Sequence, residues 1–328
     1  MSASLPQPAT YFPFEKGSYD VLPGLRPFGD DFGNGAADNC VFQIDSQFHQ
    51  FRAAKLHARS TSLSRHVLFQ QFSEEAAAAV TRFVIHRFVI EHPEWFAVEQ
   101  TESTQRLTCH LTGEVLCFDR NGKLVIHETR SDVEPAYFCS LDALACQVQE
   151  DLAVTCAEES ANWVAALHVC LPSHWTPEDK LGKDFAEVHA TVPGMEPFAR
   201  NQQKFVAKMM GATNGLVRFV WGLQWDDTLN RHPACDSALK CFDPKQPGPF
   251  LRVERQTIWG LPESRASLFT IRPSLIDVRD IKTRKPLATA LAQAIDSMSV
   301  DSLRYKGLSQ SHQEFVRWLL TTTQEAKT

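Results

Sequence analysis

Glycine and tyrosine are scarce in this sequence. Its 328 residues include 15 Gly and 4 Tyr, whereas Phe and Trp number 22 and 7, so 29 of the 33 aromatic side chains carry no hydroxyl group. Few glycines leave the backbone few hinges, and the apolar rings provide more buried surface than an ordinary core needs.

Long apolar runs and targeting signals are also missing. No window approaches the roughly 18 consecutive apolar residues that a membrane-spanning helix requires. The first residues, MSASLPQPATYFPF, have neither the cationic nor the apolar region of a secretory signal peptide. We expect a cytoplasmic protein that makes no stable contact with membranes.

An excess of positive charge and paired cysteine motifs are absent too. The formal net charge is −6, so no global field draws the chain onto nucleic acid or anionic lipid. The nine cysteines include no CxxC pair of the kind that binds zinc or an iron–sulfur cluster, and we expect free thiols in a reducing compartment. Phosphate-loop, dinucleotide-binding, hydrolase-elbow and zincin motifs do not occur.

The order of predicted elements indicates an α+β fold with an antiparallel sheet, because it lacks a regular βαβα alternation. Residues 1–45 have no sustained period and are expected to be irregular. A hairpin is expected where apolar runs flank Asn121-Gly122. The predicted helices are 73–91, 140–152, 197–211, 286–298 and 310–323, and the predicted strands are 163–171, 216–225, 250–259 and 266–272.

The strand LRVERQTIW places Arg252, Glu254 and Gln256 on one face, because side chains alternate along a strand. Burying Arg and Glu together is costly unless they pair and form further hydrogen bonds. The face therefore either lies in solvent as a cross-strand ion pair or lines a polar cavity.

His189 lies at the end of a short helical stretch and just before Val192-Pro193-Gly194. A rigid turn there fixes the direction of the imidazole, which suits an axial metal ligand. By spacing alone His168 and His174 are equal competitors.

Several segments together carry a resemblance to a known family. They are QEDL (149–152), LPSHW (171–175), DKLGK (179–183), EVHATVPG (187–194), RFVW (218–221), LRVERQTIWGLP (251–262) and LRYKGL (303–308). In this order, over roughly residues 10–320, the sequence resembles the haem-dependent oxidative N-demethylase family, typified by the alpha, haem-binding subunit of dimethylamine monooxygenase.

The resemblance implies a PAS-like fold, with a five-stranded antiparallel sheet, flanking helices, and irregular or helical extensions at both ends. We expect an irregular segment at 1–45, followed by a single haem-binding domain at 46–328 that ends in the helices at 286–323.

The resemblance also implies a site. His189 is the expected proximal ligand of a haem b iron, and Lys180 and Lys183 are candidates for its propionates. Arg252, Glu254 and Arg218 are candidates for a polarised distal pocket. Arginine would stabilise negative charge developing on O2, and Glu254 would hold an ammonium group.

The implied reaction is oxidative demethylation of a small, dimethylamine-like amine with O2, by a haem-dependent monooxygenase. Reducing equivalents from NADPH would arrive through FMN and a 2Fe–2S cluster on separate reductase or ferredoxin-type subunits. One alternative is a non-catalytic haem sensor of PAS type, which would act on an output helix or an effector domain. Another is an oxygenase of the same fold with a different substrate.

Overall fold

The computed structural model describes residues 4–21, 24–128, 133–159, 161–235, 242–243 and 249–321. Their strands are β1 (Arg26–Pro27), β2 (Val67–Phe69), β3 (Phe96–Gln100), β4 (Thr104–Cys109), β5 (Glu114–Asp119), β6 (Leu124–Glu128), β7 (Asp151–Glu158), β8 (Ala161–His168), β9 (Leu216–Gln224), β10 (Phe250–Leu261) and β11 (Ala266–Asp277). Their α-helices are α1 (Phe48–His66), α2 (Glu74–Glu91), α3 (Ser140–Ala145), α4 (Phe185–His189), α5 (Glu196–Ala199), α6 (Gln202–Met210), α7 (Val278–Thr283), α8 (Lys285–Asp296), α9 (Val300–Tyr305) and α10 (His312–Leu320).

The strands form two sheets, and all of their pairings are antiparallel. The main sheet has seven strands in the order β1-β9-β10-β11-β7-β8-β2, and the small sheet has the order β3-β4-β5-β6. The expected mixture of helices with antiparallel strands is confirmed. A five-stranded PAS-like sheet is not confirmed, since two short strands extend the main sheet to seven.

The two best local signals in the sequence are confirmed. Ser73 caps α2 by accepting a hydrogen bond from the Ala76 backbone, and the helix runs to Glu91 as predicted. The predicted hairpin is β5–β6, and Gly122 in its turn has a φ of +73°, which favours glycine. Strands β9, β10 and β11 also lie where strands are predicted.

Two predicted helices are wrong in extent. The helix expected over 140–152 ends at Ala145, and β7 begins at Asp151. Asp151 accepts hydrogen bonds from the backbone of Cys170 and Leu171, which ties the start of the strand to a distant segment. The helix expected over 197–211 is divided into α5 and α6, because Asn201 leaves helical geometry at φ −116° and ψ 23°.

Both apolar cores use the same face of the main sheet. One joins α2, the small sheet and residues such as Val154, and the other joins α8, α10 and residues such as Val253. Phe14, from the largely irregular N-terminal segment, is fully buried in the second core. The opposite face of β9 and β10 is left for polar side chains. None of the described helices combines the length and hydropathy needed to cross a bilayer.

Candidate functional site

The polar face of β10 is an internal surface. Arg252, Glu254 and Gln256 are only 3 %, 7 % and 8 % exposed. Arg252 Nε donates to Glu254 Oε1 at 3.1 Å, and Gln256 Nε2 donates to Glu254 Oε2 at 3.2 Å. The face is therefore buried and paired, and the alternative of an ion pair in solvent is wrong.

Arg252 is fixed by the protein around it. One terminal nitrogen donates to the Leu229 carbonyl at 2.9 Å, and the other donates to the Leu171 carbonyl. With Nε bound to Glu254, the guanidinium bonds through all three of its nitrogens. Arg252 therefore holds the Glu254 carboxylate and the segments that contain Leu171 and Leu229 in place.

Arg218 lies beside this pair on β9. It is directly opposite Gln256 in the register, so its side chain shares the polar face. Its Nε is buried and has no hydrogen-bond partner among the described residues. Burial lowers the pKa of Arg218, and the negative charge of Glu254 opposes that shift. A guanidinium with spare donors thus faces the same space as Glu254.

His189 is the last residue of α4, as the sequence predicts. Asp184 begins this helix with a capping box, in which its side chain accepts from the Glu187 backbone at 2.8 Å. The Nδ1 atom of His189 lies 2.8 Å from the Phe185 carbonyl and donates to it, and the two rings are 4.4 Å apart. Nε2 therefore carries the lone pair and has no hydrogen bond to a described residue.

The charge of His189 is set by its surroundings. Burial lowers the pKa of the imidazole, and the positive charges of Arg218 and Lys180 lower it further, against the hydrogen bond to Phe185. The ring is therefore neutral at neutral pH, which is the form that binds a metal.

Lys180 and Lys183 differ in their surroundings. Lys180 Nζ donates to the Val188 carbonyl at 2.7 Å and so braces the end of α4, next to His189. Burial lowers the pKa of Lys180, and Lys183 adds to that shift. Lys183 itself is exposed.

Lys306 lies beside the same face, and no pattern in the sequence predicts a role for it. Its Nζ donates to the Trp221 carbonyl at 2.8 Å on the edge of β9. Gly222 has no side chain, and a Cβ there would lie 3.9 Å from Nζ. Burial and Arg218 lower the pKa of Lys306 to about 8, although Glu254 opposes the shift. The only sequence signal for Lys306 is its place in LRYKGL.

A small cavity of about 290 Å³ lies between the N-terminal segment, the turn after His189 and the start of α9. Tyr19 brings this cavity close to Lys306, since the centroid of its ring lies 5.9 Å from Lys306 Nζ. The residues that line the cavity are Tyr19, Asp20, Val21, Pro193, Gly194, Ser297, Ser299 and Ser302.

The two competing histidines lie elsewhere. His168 is fully buried, and its Nε2 is 3.2 Å from Asp142, which also binds Arg59 through both carboxylate oxygens. Groups that include His168 and Cys146 or Cys170 are close enough together to hold a metal ion. Arg59 already neutralises Asp142, so we assign His168 to a buried structural network. His174 is exposed, with a φ of +59°.

A family model described as haem-dependent oxidative N-demethylase, alpha subunit-like, matches residues 34–316, which is most of the chain. The chain belongs to this family. The match confirms the resemblance seen in the sequence, and it includes His189, Arg218, Glu254 and Lys306.

The haem that the family name suggests fits the residues around His189. A neutral imidazole whose Nδ1 donates to a backbone carbonyl presents Nε2 in the form used by axial haem ligands. The rings of Phe185, Phe198 and Phe205 form a contiguous apolar group beside it, with centroids 4.8–5.9 Å apart. Apolar rings of this kind suit the faces of a porphyrin.

Proposed function

We propose that this chain is the haem-binding subunit of an oxygenase that removes a methyl group from a small secondary or tertiary amine. The observation that carries the proposal is the available Nε2 atom of His189, on an imidazole that lies near enough to Arg218 for the guanidinium to lower its pKa. Family membership supplies the reaction class, and the geometry supports the roles of the residues.

We also propose that part of the main sheet is a PAS-like core. The five strands of eight or more residues are β7 to β11, and they are adjacent in the main sheet in the order β9-β10-β11-β7-β8. This supports a five-stranded antiparallel core that β1 and β2 extend at its edges.

His189 would hold the haem b iron through Nε2, while its Nδ1–H bond to Phe185 fixes the plane of the ring. Lys183 is exposed close to α4 and is our candidate partner for a propionate. Lys180 would act chiefly by bracing α4. The bound haem would supply the activation of O2 and the one-electron chemistry that these side chains cannot perform.

Glu254 would hold the ammonium group of the amine, because it is a carboxylate kept in place by Arg252 and Gln256. Arg218 would stabilise negative charge that develops in the pocket. In the overall reaction, an N-methyl amine, O2, two electrons and two protons give the demethylated amine, formaldehyde and water. The electrons come from outside this chain, and we propose a flavin and iron–sulfur reductase system, with NADPH as the donor.

The test is haem reconstitution of the purified protein, followed by an assay with a reductase. We expect a Soret band that is altered in His189→Ala and unchanged in His174→Ala, which removes an exposed histidine. Formaldehyde release from a panel of methylamines separates an enzyme from a sensor, since a sensor binds haem without producing formaldehyde. A protein that takes up no haem would overturn the proposal.

A further inference from the structure

The charges around Glu254 are unbalanced. Among the described residues, Arg218, Arg252 and Lys306 are the cations of this face, and Glu254 is the carboxylate whose charge acts on both Arg218 and Lys306. Arg252 and Glu254 form one pair. Arg218 and Lys306 are then left over, and the neutral imidazole of His189 contributes no negative charge.

The two remaining cations also keep unused donors. Within the described part of the chain, Arg218 Nε is buried without a hydrogen-bond partner, and Lys306 Nζ has one hydrogen bond, to a backbone carbonyl. Each cation adds to the cost of burying the other, since Arg218 disfavours the charged form of Lys306. Uncompensated buried charge is costly, so this arrangement favours an anionic ligand at this point.

A carboxylate matches these donors. A guanidinium presents parallel N–H groups that bind two carboxylate oxygens at once, and an ammonium group adds a third contact. Arg218 and Glu254 are diagonal neighbours on β9 and β10, and diagonal neighbours lie about 7–8 Å apart. One small molecule with an ammonium group and a carboxylate a few bonds apart would reach both.

We infer that Arg218 and Lys306 form a subsite for a carboxylate on the substrate, and that the substrate is an N-methylated amino acid. This inference rests on the proposed function and narrows it. Glu254 takes the ammonium group, and the two cations take the carboxylate. A simple alkylamine would bring a fourth positive charge to the site and would leave Arg218 and Lys306 unpaired.

The test compares three ligands of similar size: N-methylglycine, N-methylglycinamide and dimethylamine. Their affinities are measured on the haem-loaded protein by the spectral shift, and on the haem-free protein by calorimetry. We expect N-methylglycine to bind at least about tenfold more tightly than either of the others, as charged hydrogen bonds predict. Equal affinities, or tighter binding of dimethylamine, would overturn the inference and leave the proposed function intact.

Substitutions of the two cations test whether they bind the carboxylate of the ligand. Arg218→Gln and Lys306→Gln should each bring the affinity ratio of N-methylglycine to N-methylglycinamide close to one, with little change for dimethylamine. Arg218→Lys, which keeps the charge, should retain part of the preference, and exposed Arg279→Gln is the matched control. If Arg218→Gln lowers haem content and leaves the ratio unchanged, the guanidinium binds a haem propionate and the inference fails. Absence of any haem spectrum would instead reject the proposed function.

Discussion

Arg252 Nε lies 3.1 Å from Glu254 Oε1, and both side chains are buried on the same face of β10. Removing one partner of a buried pair leaves an uncompensated charge. We therefore expect Arg252→Met to lower the free energy of unfolding by about 3–5 kcal/mol, measured by urea denaturation. The loss of two hydrogen bonds to the Leu171 and Leu229 carbonyls adds to the effect.

The control for that variant is Arg304→Met. Arg304 pairs with Asp301 at 2.7 Å, but both side chains are 71 % exposed, so solvent screens the pair. We expect little change in stability. Similar losses in both variants would show that the Arg252–Glu254 pair contributes no more than a surface pair.

Glu254→Gln separates amine binding from haem binding. The amide keeps the shape of the side chain and can still accept a hydrogen bond from Arg252, but it loses the charge that attracts an ammonium group. We expect the amine-induced spectral shift to need at least about tenfold more ligand, since hydrogen bonds to charged groups contribute about 1.5–3 kcal/mol. Haem content should stay close to that of the wild type. A parallel loss of haem and amine binding would assign Glu254 a structural role.

Elements with local signals could be predicted from the sequence, whereas those held by distant partners could not. The cap at Ser73 and the Asn121-Gly122 turn lie within the elements they define. The sequence pattern does not predict helix α1, because Lys55 and Arg59 interrupt its apolar period and yet are fully buried. Lys55 donates to the Ala145 carbonyl, 90 residues away, and Arg59 pairs with Asp142, 83 residues away.

In the candidate site, too, residues with a local pattern could be predicted and those held by distant partners could not. Alternation along β10 predicts that Arg252, Glu254 and Gln256 share a face, and the structure confirms this. It does not predict Lys306, whose contact with Trp221 spans 85 residues. Nor does it distinguish Arg252, which bonds through all three of its nitrogens, from Arg218, whose Nε has no partner among the described residues, since hydrogen-bond partners depend on tertiary structure.

Gly260 allows α6 to approach β10 closely. A Cβ at this position would lie 2.2 Å from the Met210 carbonyl oxygen and 2.8 Å from the Ala212 nitrogen, so the backbone after α6 would have to move. Overpacking of this kind costs about 1–3 kcal/mol, and we expect Gly260→Ala to lower the Tm accordingly. Gly222→Ala is the control, because its new methyl group would make only ordinary contacts with Lys306. An unchanged Tm for Gly260→Ala would contradict this packing.

The buried carboxyl group of Glu150 should make the free energy of unfolding depend on pH, and a single substitution should remove this dependence. It is fully buried, its Oε2 has no hydrogen-bond partner among the described residues, and burial raises its pKa from 4.5 to about 7 despite the nearby Arg272. Between these values the folded chain keeps a proton that the unfolded chain releases. The contribution of Glu150 to the free energy of unfolding therefore falls as the pH rises between these two values, by about 1.4 kcal/mol per pH unit.

Because Gln does not titrate, Glu150→Gln should gain stability relative to the wild type as the pH rises from about 4.5 to 7, and the difference should stay constant above that window. Urea denaturation at several pH values measures this difference in the free energy of unfolding. The control is Glu158→Gln, which changes an exposed carboxylate and should show the same dependence of stability on pH as the wild type. Parallel curves for Glu150→Gln and the wild type would mean that Glu150 ionises normally in the folded chain. The pairing with Arg272 would then be strong enough to offset its burial.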